Sequence, residues 1–209
     1  MNNKFWFFIL LSHLCIIFLT SNTLHTDELI FHSFSDQLTQ EQLHEYIASK
    51  EKWAWIGYLI TTLLVLLRII LVATCISIGY YLYHIDNDIK FKHFFNLSLQ
   101  AEVVLLLVGV SKLVWFSFID TTYTLQDLQQ FYPLSVTNFL DLQNVDAWLL
   151  YPLQTLNLFE IAYWLALTYG LFKLIKGKFW KSFEIIMVSY GTGLVIWIVC
   201  IMFLTLNMS

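Results

Sequence analysis

Long apolar runs separated by shorter polar segments are the main feature of this sequence. Five such runs lie at about residues 5–20, 55–83, 97–119, 153–175 and 183–206. Because a helix rises ~1.5 Å per residue, about 20 apolar residues cover the ~30 Å hydrocarbon core of a bilayer. The pattern therefore predicts an all-α fold, a polytopic membrane helical bundle of about five transmembrane helices in one integral membrane domain, residues 1–209.

The first run has two interpretations. Residues 5–19 follow Lys4 and predict either a short first span or a cleaved signal peptide. The segment after Leu19 reads Thr-Ser-Asn-Thr, which lacks the small-x-small pattern of a cleavage site. We favour a retained span and keep the cleaved signal as the alternative.

The loop before the second run carries a helix start. Thr39 and Gln42 have the spacing of a capping box, and apolar residues recur behind them at helical intervals. We expect a short amphipathic helix from about Gln40, in a loop on the outer side.

Two segments of the chain, residues 132–141 and 151–160, resemble each other. Tyr132-Pro133 opens the first and Tyr151-Pro152 opens the second, and these are the only prolines in the sequence. Proline is well accepted in the first turn of a helix, where its missing N–H group would have had no partner. Both pairs therefore predict helix starts, one for a short outer helix and one for the fourth span.

Four charged residues inside the apolar runs require partners. These are Arg68, Glu102, Lys112 and Glu160. A charge at the centre of a bilayer costs about 2.5 to 3.5 kcal/mol on insertion scales, so such residues usually pair or face a polar path. Helix rise places Lys112 and Glu160 roughly 11 Å, and Arg68 and Glu102 roughly 20 Å, below the outer interface. We predict these two ion pairs, either structural or lining a pathway.

Small residues in the fifth run indicate a close helix crossing. Ser189 and Gly193 are four residues apart, the spacing that lets two membrane helices approach closely.

Composition and charge support the membrane interpretation. Hydrophobic residues make up 58% of the chain and charged residues 12%, which excludes an ordinary soluble globular protein. Lysines concentrate in residues 90–92 and 173–181, whereas the alternate loops are acidic, so the positive-inside rule places the N-terminus inside and the C-terminus outside. We expect a bacterial inner (plasma) membrane. The chain has no basic patch for nucleic acid.

Candidate chemistry is sparse. Cys15, Cys75 and Cys200 lie in separate apolar runs without a C-x-x-C pair, so neither a disulfide framework nor a metal site is expected. His84 and His93 are expected at the membrane interface rather than as ligands. There is no G-x-S-x-G, and no complete H-E-x-x-H motif occurs. We therefore expect no cofactor and no enzymatic activity.

The second half of the chain resembles the Yip1 superfamily of five-helix membrane proteins. The resemblance is carried by the segment from Asn157 to Gly170 and by the following Lys176-Gly177-Lys178 turn before a last apolar helix. It extends over about residues 60–206, although the Asp-Leu-Tyr-Gly-Pro signature of eukaryotic members is absent. The resemblance implies a small scaffold or trafficking-type protein without established catalytic residues.

Two functions from different classes follow. The first is a non-enzymatic membrane scaffold or subunit of a larger membrane complex, with the bilayer and a protein in the membrane or at the outer face as partners. The alternative is a transporter or permease component that uses the four intramembrane charges. Glycine and proline are scarce inside the runs, and five spans do not divide into inverted repeats, so we favour the scaffold.

Overall fold

The structure is a computed structural model that describes residues 4–34, 39–83 and 89–208, and all regular structure within them is helical. His84 lies outside the described residues. The α-helices are α1 (Lys4–Thr23), α2 (Thr26–Phe34), α3 (Gln40–Leu82), α4 (Phe91–Phe118), α5 (Leu125–Gln130), α6 (Ala147–Thr155), α7 (Leu158–Ile175), α8 (Phe179–Ile186) and α9 (Thr192–Met208).

Five helical segments in the described residues are long and apolar enough to cross a membrane. They are Phe5–Thr23, Lys52–Leu82, Phe91–Phe118, Leu158–Ile175 and Phe179–Met208. The last one is continuous because a π-helical turn, Met187–Gly191, joins α8 to α9. Each segment overlaps one predicted apolar run, so hydropathy alone located all five.

The predicted amphipathic helix before the second span is the beginning of a much longer helix. The capping box is present, since the Thr39 backbone N–H donates to Gln42 Oε1 and the Gln42 N–H donates to Thr39 Oγ1. The helix then continues without interruption from Gln40 to Leu82, over 43 residues. No proline stands between the amphipathic part and the apolar run, and the only glycine there, Gly57, does not end the helix.

Neither Tyr-Pro pair begins a helix, which corrects the prediction for Tyr132, Pro133, Tyr151 and Pro152. Pro133 lies in a turn, and a short 3-10 helix, Val136–Phe139, begins only after it. Tyr151 and Pro152 lie inside α6, past its first turn. The helix that contains residue 151 begins earlier, at Ala147, and it ends at Thr155, before the fourth span begins.

The two similar segments pair with each other. The Val136 N–H donates to the carbonyl of Leu156 at 3.1 Å, and the Leu158 N–H donates to the carbonyl of Leu134 at 3.2 Å. These bonds form a short antiparallel bridge between the 3-10 region and the break that separates α6 from α7. Backbone groups in that break are thereby satisfied by a distant segment, which is why the helix can stop there.

The chain divides into two compact units. Unit 1 comprises Met1–Val65 and Gly109–Phe131, and unit 2 comprises Leu66–Val108 and Tyr132–Ser209. Helices α3 and α4 contribute to both units. The assignment of the whole chain to one integral membrane domain stays a prediction.

The core of unit 1 is aromatic. Phe116 of α4 lies between the rings of Tyr123 and Phe131, with centroid distances of 4.8 and 5.2 Å. Leu24 and Leu128 complete this buried cluster. The cluster ties the end of α1 and the short α5 to the second half of α4.

The core of unit 2 lies between the second half of α3, the first half of α4, α7 and the C-terminal helical segment. A Cβ atom built on Gly79 would lie 2.5 Å from Ser189 Cβ, and one built on Gly193 would lie 2.8 Å from Cys75 Sγ. Helix α3 therefore crosses the C-terminal segment in close contact. The predicted close packing at Ser189 and Gly193 is confirmed, and Cys75 and Gly79 supply the matching small residues on α3.

A polar cluster in unit 2 as candidate functional site

Arg68 and Glu102 form an ion pair in unit 2. Arg68 lies on α3 and Glu102 on α4, and Arg68 Nη2 donates to Glu102 Oε1. The Glu102 side chain is 0% exposed, whereas the Arg68 side chain is 44% exposed. The structure thus joins the two residues that helix rise placed at the same depth, and it buries the acid more completely than the base.

Glu160 is held by neutral hydrogen-bond donors. Its Oε1 accepts hydrogen bonds from Trp164 Nε1 at 2.8 Å and from the Tyr190 hydroxyl at 2.7 Å. The side chain is half-buried. The predicted ion pair with Lys112 stays a prediction, because Lys112 belongs to unit 1 and Glu160 to unit 2.

Asn157 positions Glu160 at the start of α7. The Asn157 side-chain oxygen accepts from the Glu160 backbone N–H at 2.8 Å, and its Nδ2 donates to the carbonyls of Gln154 and Thr155. Asn157 is thus the N-cap of the fourth span and also closes the end of α6. The signal was present in the sequence, since asparagine followed three residues later by glutamate is a typical helix start.

A π-helical turn places Tyr190 against Glu160. Tyr190 lies in the segment Met187–Gly191, where the backbone has one extra residue per turn. Its ring packs edge-on against Tyr163 and Trp164, at centroid distances of 5.5 and 5.7 Å. Single π-turns inside helices are frequent at functional sites. Nothing in the periodicity of residues 183–206 indicated this turn, so sequence reasoning missed Tyr190.

Tyr163 links the two acidic positions. Its side chain is fully buried, and its hydroxyl lies within electrostatic reach of Glu102, Arg68 and Glu160. No described residue forms a hydrogen bond with the Tyr163 hydroxyl. The same holds for the buried hydroxyls of Ser98 and Thr168. Buried polar groups usually have a partner, and water commonly supplies it where protein does not.

Tyr132 lies next to this cluster from the loop side. Burial raises the pKa of the Tyr132 hydroxyl, and the negative charge of Glu160 raises that pKa further, whereas Arg68 opposes the shift. Tyr151 has a different role, since its hydroxyl accepts a hydrogen bond from Trp197 Nε1 at 2.8 Å. Of the two tyrosines that were predicted to start helices, Tyr151 therefore holds a side-chain contact and Tyr132 interacts electrostatically with the charged residues.

We refer to Arg68, Glu102, Glu160, Tyr163 and Tyr190 as the polar cluster. It contains one base, two acids and two phenols, a set that can bind protons or cations but has no nucleophile activated by a neighbouring base. Among the described residues, no three His, Cys, Asp or Glu side chains are grouped so that they could hold a metal ion.

Comparison of the chain with protein-family models, with curated proteins and with solved structures finds no match. The class of protein is therefore defined by the fold alone: an all-helical protein with five helical segments suited to a membrane.

Proposed function

We propose that this protein is a non-enzymatic integral membrane scaffold, or a subunit of a larger membrane complex, in a bacterial inner (plasma) membrane. Five apolar helical segments and the concentration of lysines in alternate loops support insertion with the N-terminus inside and the C-terminus outside. The resemblance to the Yip1 superfamily agrees with such a role, and membership is itself part of this proposal.

The observation that carries the proposal is an exposed apolar surface on the segment between the third and fourth candidate spans. Most of residues 132–158 lie outside the candidate spans, and this segment nevertheless exposes several large apolar side chains. The exposed side chains are Leu134, Val136, Phe139, Leu140, Leu156 and Leu158. These side chains are close in sequence, and exposed apolar surface in a folded protein commonly marks a contact site for another protein or for a membrane. We call this set the apolar loop surface.

Phe139 is the best residue for testing this surface. Its side chain is 88% exposed and lies at the end of the 3-10 turn, so its removal leaves the core of unit 2 intact. Phe118, at the end of α4, is 80% exposed and belongs to unit 1. Phe118→Ser is therefore a matched control for Phe139→Ser.

The experiment is purification of tagged protein in mild detergent. We expect a stoichiometric companion protein to copurify with the wild type and with Phe118→Ser, and to be lost from Phe139→Ser. Crosslinking from a photoreactive residue at position 139 identifies the bound surface directly. A monodisperse particle without a companion, crosslinking only to lipid, would contradict the scaffold.

The alternative is a transporter component, and the polar cluster is the observation that favours it. Buried charges in a membrane helix bundle frequently mark a substrate or proton pathway. Replacement of Lys112 by Met together with Glu160 by Gln should leave a scaffold folded and bound to its partner. In a transporter, the same double variant should fold but lose solute uptake into liposomes.

A further inference from the structure

The polar cluster contains more acidic groups than positive ones, because Arg68 is one cation and Glu102 and Glu160 are two acids. An arginine side chain keeps its positive charge at any ordinary pH, whereas the two carboxyl groups can each be ionised or neutral. If both carboxyls were ionised, the polar cluster would carry one uncompensated negative charge. In a low-dielectric surrounding such a charge is unfavourable, and a carboxyl usually takes up a proton instead.

The geometry decides which carboxyl is uncompensated. Arg68 Nη2 donates directly to Glu102, so the positive charge of Arg68 compensates the charge of that carboxyl group. Glu160 receives its hydrogen bonds from Trp164 and Tyr190, which are neutral donors. Both donors reach the same oxygen, Oε1, so the other oxygen, Oε2, is the atom that can carry a proton.

The ionisable groups that act on Glu160 or on its direct neighbours are Arg68 from α3, Glu102 from α4, Tyr163 from α7, Tyr190 from the π-turn and Tyr132 from the loop. Arg68 is the only cation in this set. The groups in this set therefore provide hydroxyls and one positive charge, that of Arg68, which is hydrogen-bonded to Glu102.

We propose that the Glu160 carboxyl is an intramembrane proton-binding site that holds an exchangeable proton on Oε2. The proton comes from water and returns to it, so the site changes charge by one unit with no other reactant. Tyr163 and Tyr132 carry hydroxyl groups that interact electrostatically with Glu160. The proposal goes beyond scaffold function and does not depend on it, because it concerns only the interior of unit 2.

Infrared spectroscopy of the purified protein in lipid nanodiscs tests the proposal. A neutral carboxyl has a C=O stretch that is separate from the bands of ionised carboxylates and amides, and it shifts when water is replaced by D₂O. Most of the 15 aspartates and glutamates lie in polar segments outside the apolar runs. We expect the wild type to show this band and Glu160→Gln to lose it.

Two control variants make the assignment specific. Glu160→Gln retains an oxygen acceptor for Trp164 and Tyr190, so it should keep the fold. Glu184→Gln removes an exposed carboxyl from α8, in the C-terminal candidate span, and should leave the band unchanged. Absence of the band from the wild type, or its persistence in Glu160→Gln, would overturn the proposal.

A hydrophobic carbodiimide gives a second readout that does not require a folded variant. The reagent modifies protonated carboxyl groups in apolar surroundings, and mass spectrometry of the wild type locates the adduct. We expect a single adduct at Glu160 that is lost when the pH is raised. Modification at Glu102 instead of Glu160 would show that Glu102 holds the proton and would contradict the proposal. An unreactive Glu160 together with no infrared band would show that Glu160 is ionised and would overturn the proposal.

Discussion

Breaking the Arg68–Glu102 ion pair from each side provides a sharp test of the bundle's energetics. Removal of one partner of a buried pair typically costs about 3 to 5 kcal/mol, because the remaining charge has lost its counterion. Replacement of both partners by uncharged residues of similar volume is often close to neutral. The single variants Arg68→Met and Glu102→Gln and the corresponding double variant therefore form an informative cycle.

The surroundings of the remaining charge set the order of the two single effects. Arg68→Met leaves a carboxylate that is 0% exposed, so we expect a loss near the upper end, about 5 kcal/mol. Glu102→Gln leaves an arginine that also interacts electrostatically with Glu160, so we expect a smaller loss of about 3 kcal/mol. The double variant should unfold within about 1 kcal/mol of the wild type.

Reversible unfolding in mixed micelles of mild detergent and dodecyl sulfate, followed by tryptophan fluorescence, measures these free energies. The exposed pair of Lys50 and Asp27 in unit 1 supplies a control, with side chains 37% and 49% exposed. Lys50→Met should cost less than about 1 kcal/mol. If the Arg68 and Glu102 effects simply add in the double variant, the two residues are not energetically coupled and the reasoning fails.

Three further predictions concern packing, capping and topology. Gly79→Ala places a methyl group against Ser189 and should destabilise unit 2 by about 1 to 3 kcal/mol; Gly57→Ala, on the same helix with open space around it, should not destabilise in the same unfolding assay. Asn157→Ala removes the N-cap of α7 and the Nδ2 hydrogen bonds to Gln154 and Thr155, and should cost at least about 1 kcal/mol. Asn157→Asp keeps the capping oxygen but cannot donate to those carbonyls, so it should recover only part of the loss. In a cysteine-free background, an impermeant maleimide should label a cysteine at position 126 but not one at position 178 in intact cells, and the reverse pattern would refute the proposed orientation.

Several features of the fold follow from local sequence. Apolar runs of sufficient length located all five candidate spans, because a helix that satisfies its own backbone groups needs only length and apolar side chains to suit a membrane. Helix rise brought Arg68 and Glu102 to the same depth. The four-residue spacing of Ser189 and Gly193 indicated a close crossing, since both residues fall on one face of a helix.

Other features depend on residues far apart in the chain. The Tyr132 and Tyr151 segments are typical helix starts in isolation. Two backbone hydrogen bonds, from Leu158 to Leu134 and from Val136 to Leu156, pair the segments, and the fourth span starts at Leu158. The hydrogen bonds that Glu160 accepts from Trp164 and Tyr190 likewise depend on where the π-turn places Tyr190, which the sequence did not indicate. Apolar periodicity predicts which residues are shielded from water. It does not predict which buried polar groups form hydrogen bonds with each other. That choice is made by the crossing of α3, α4, α7 and the π-turn, and so only the tertiary structure decides it.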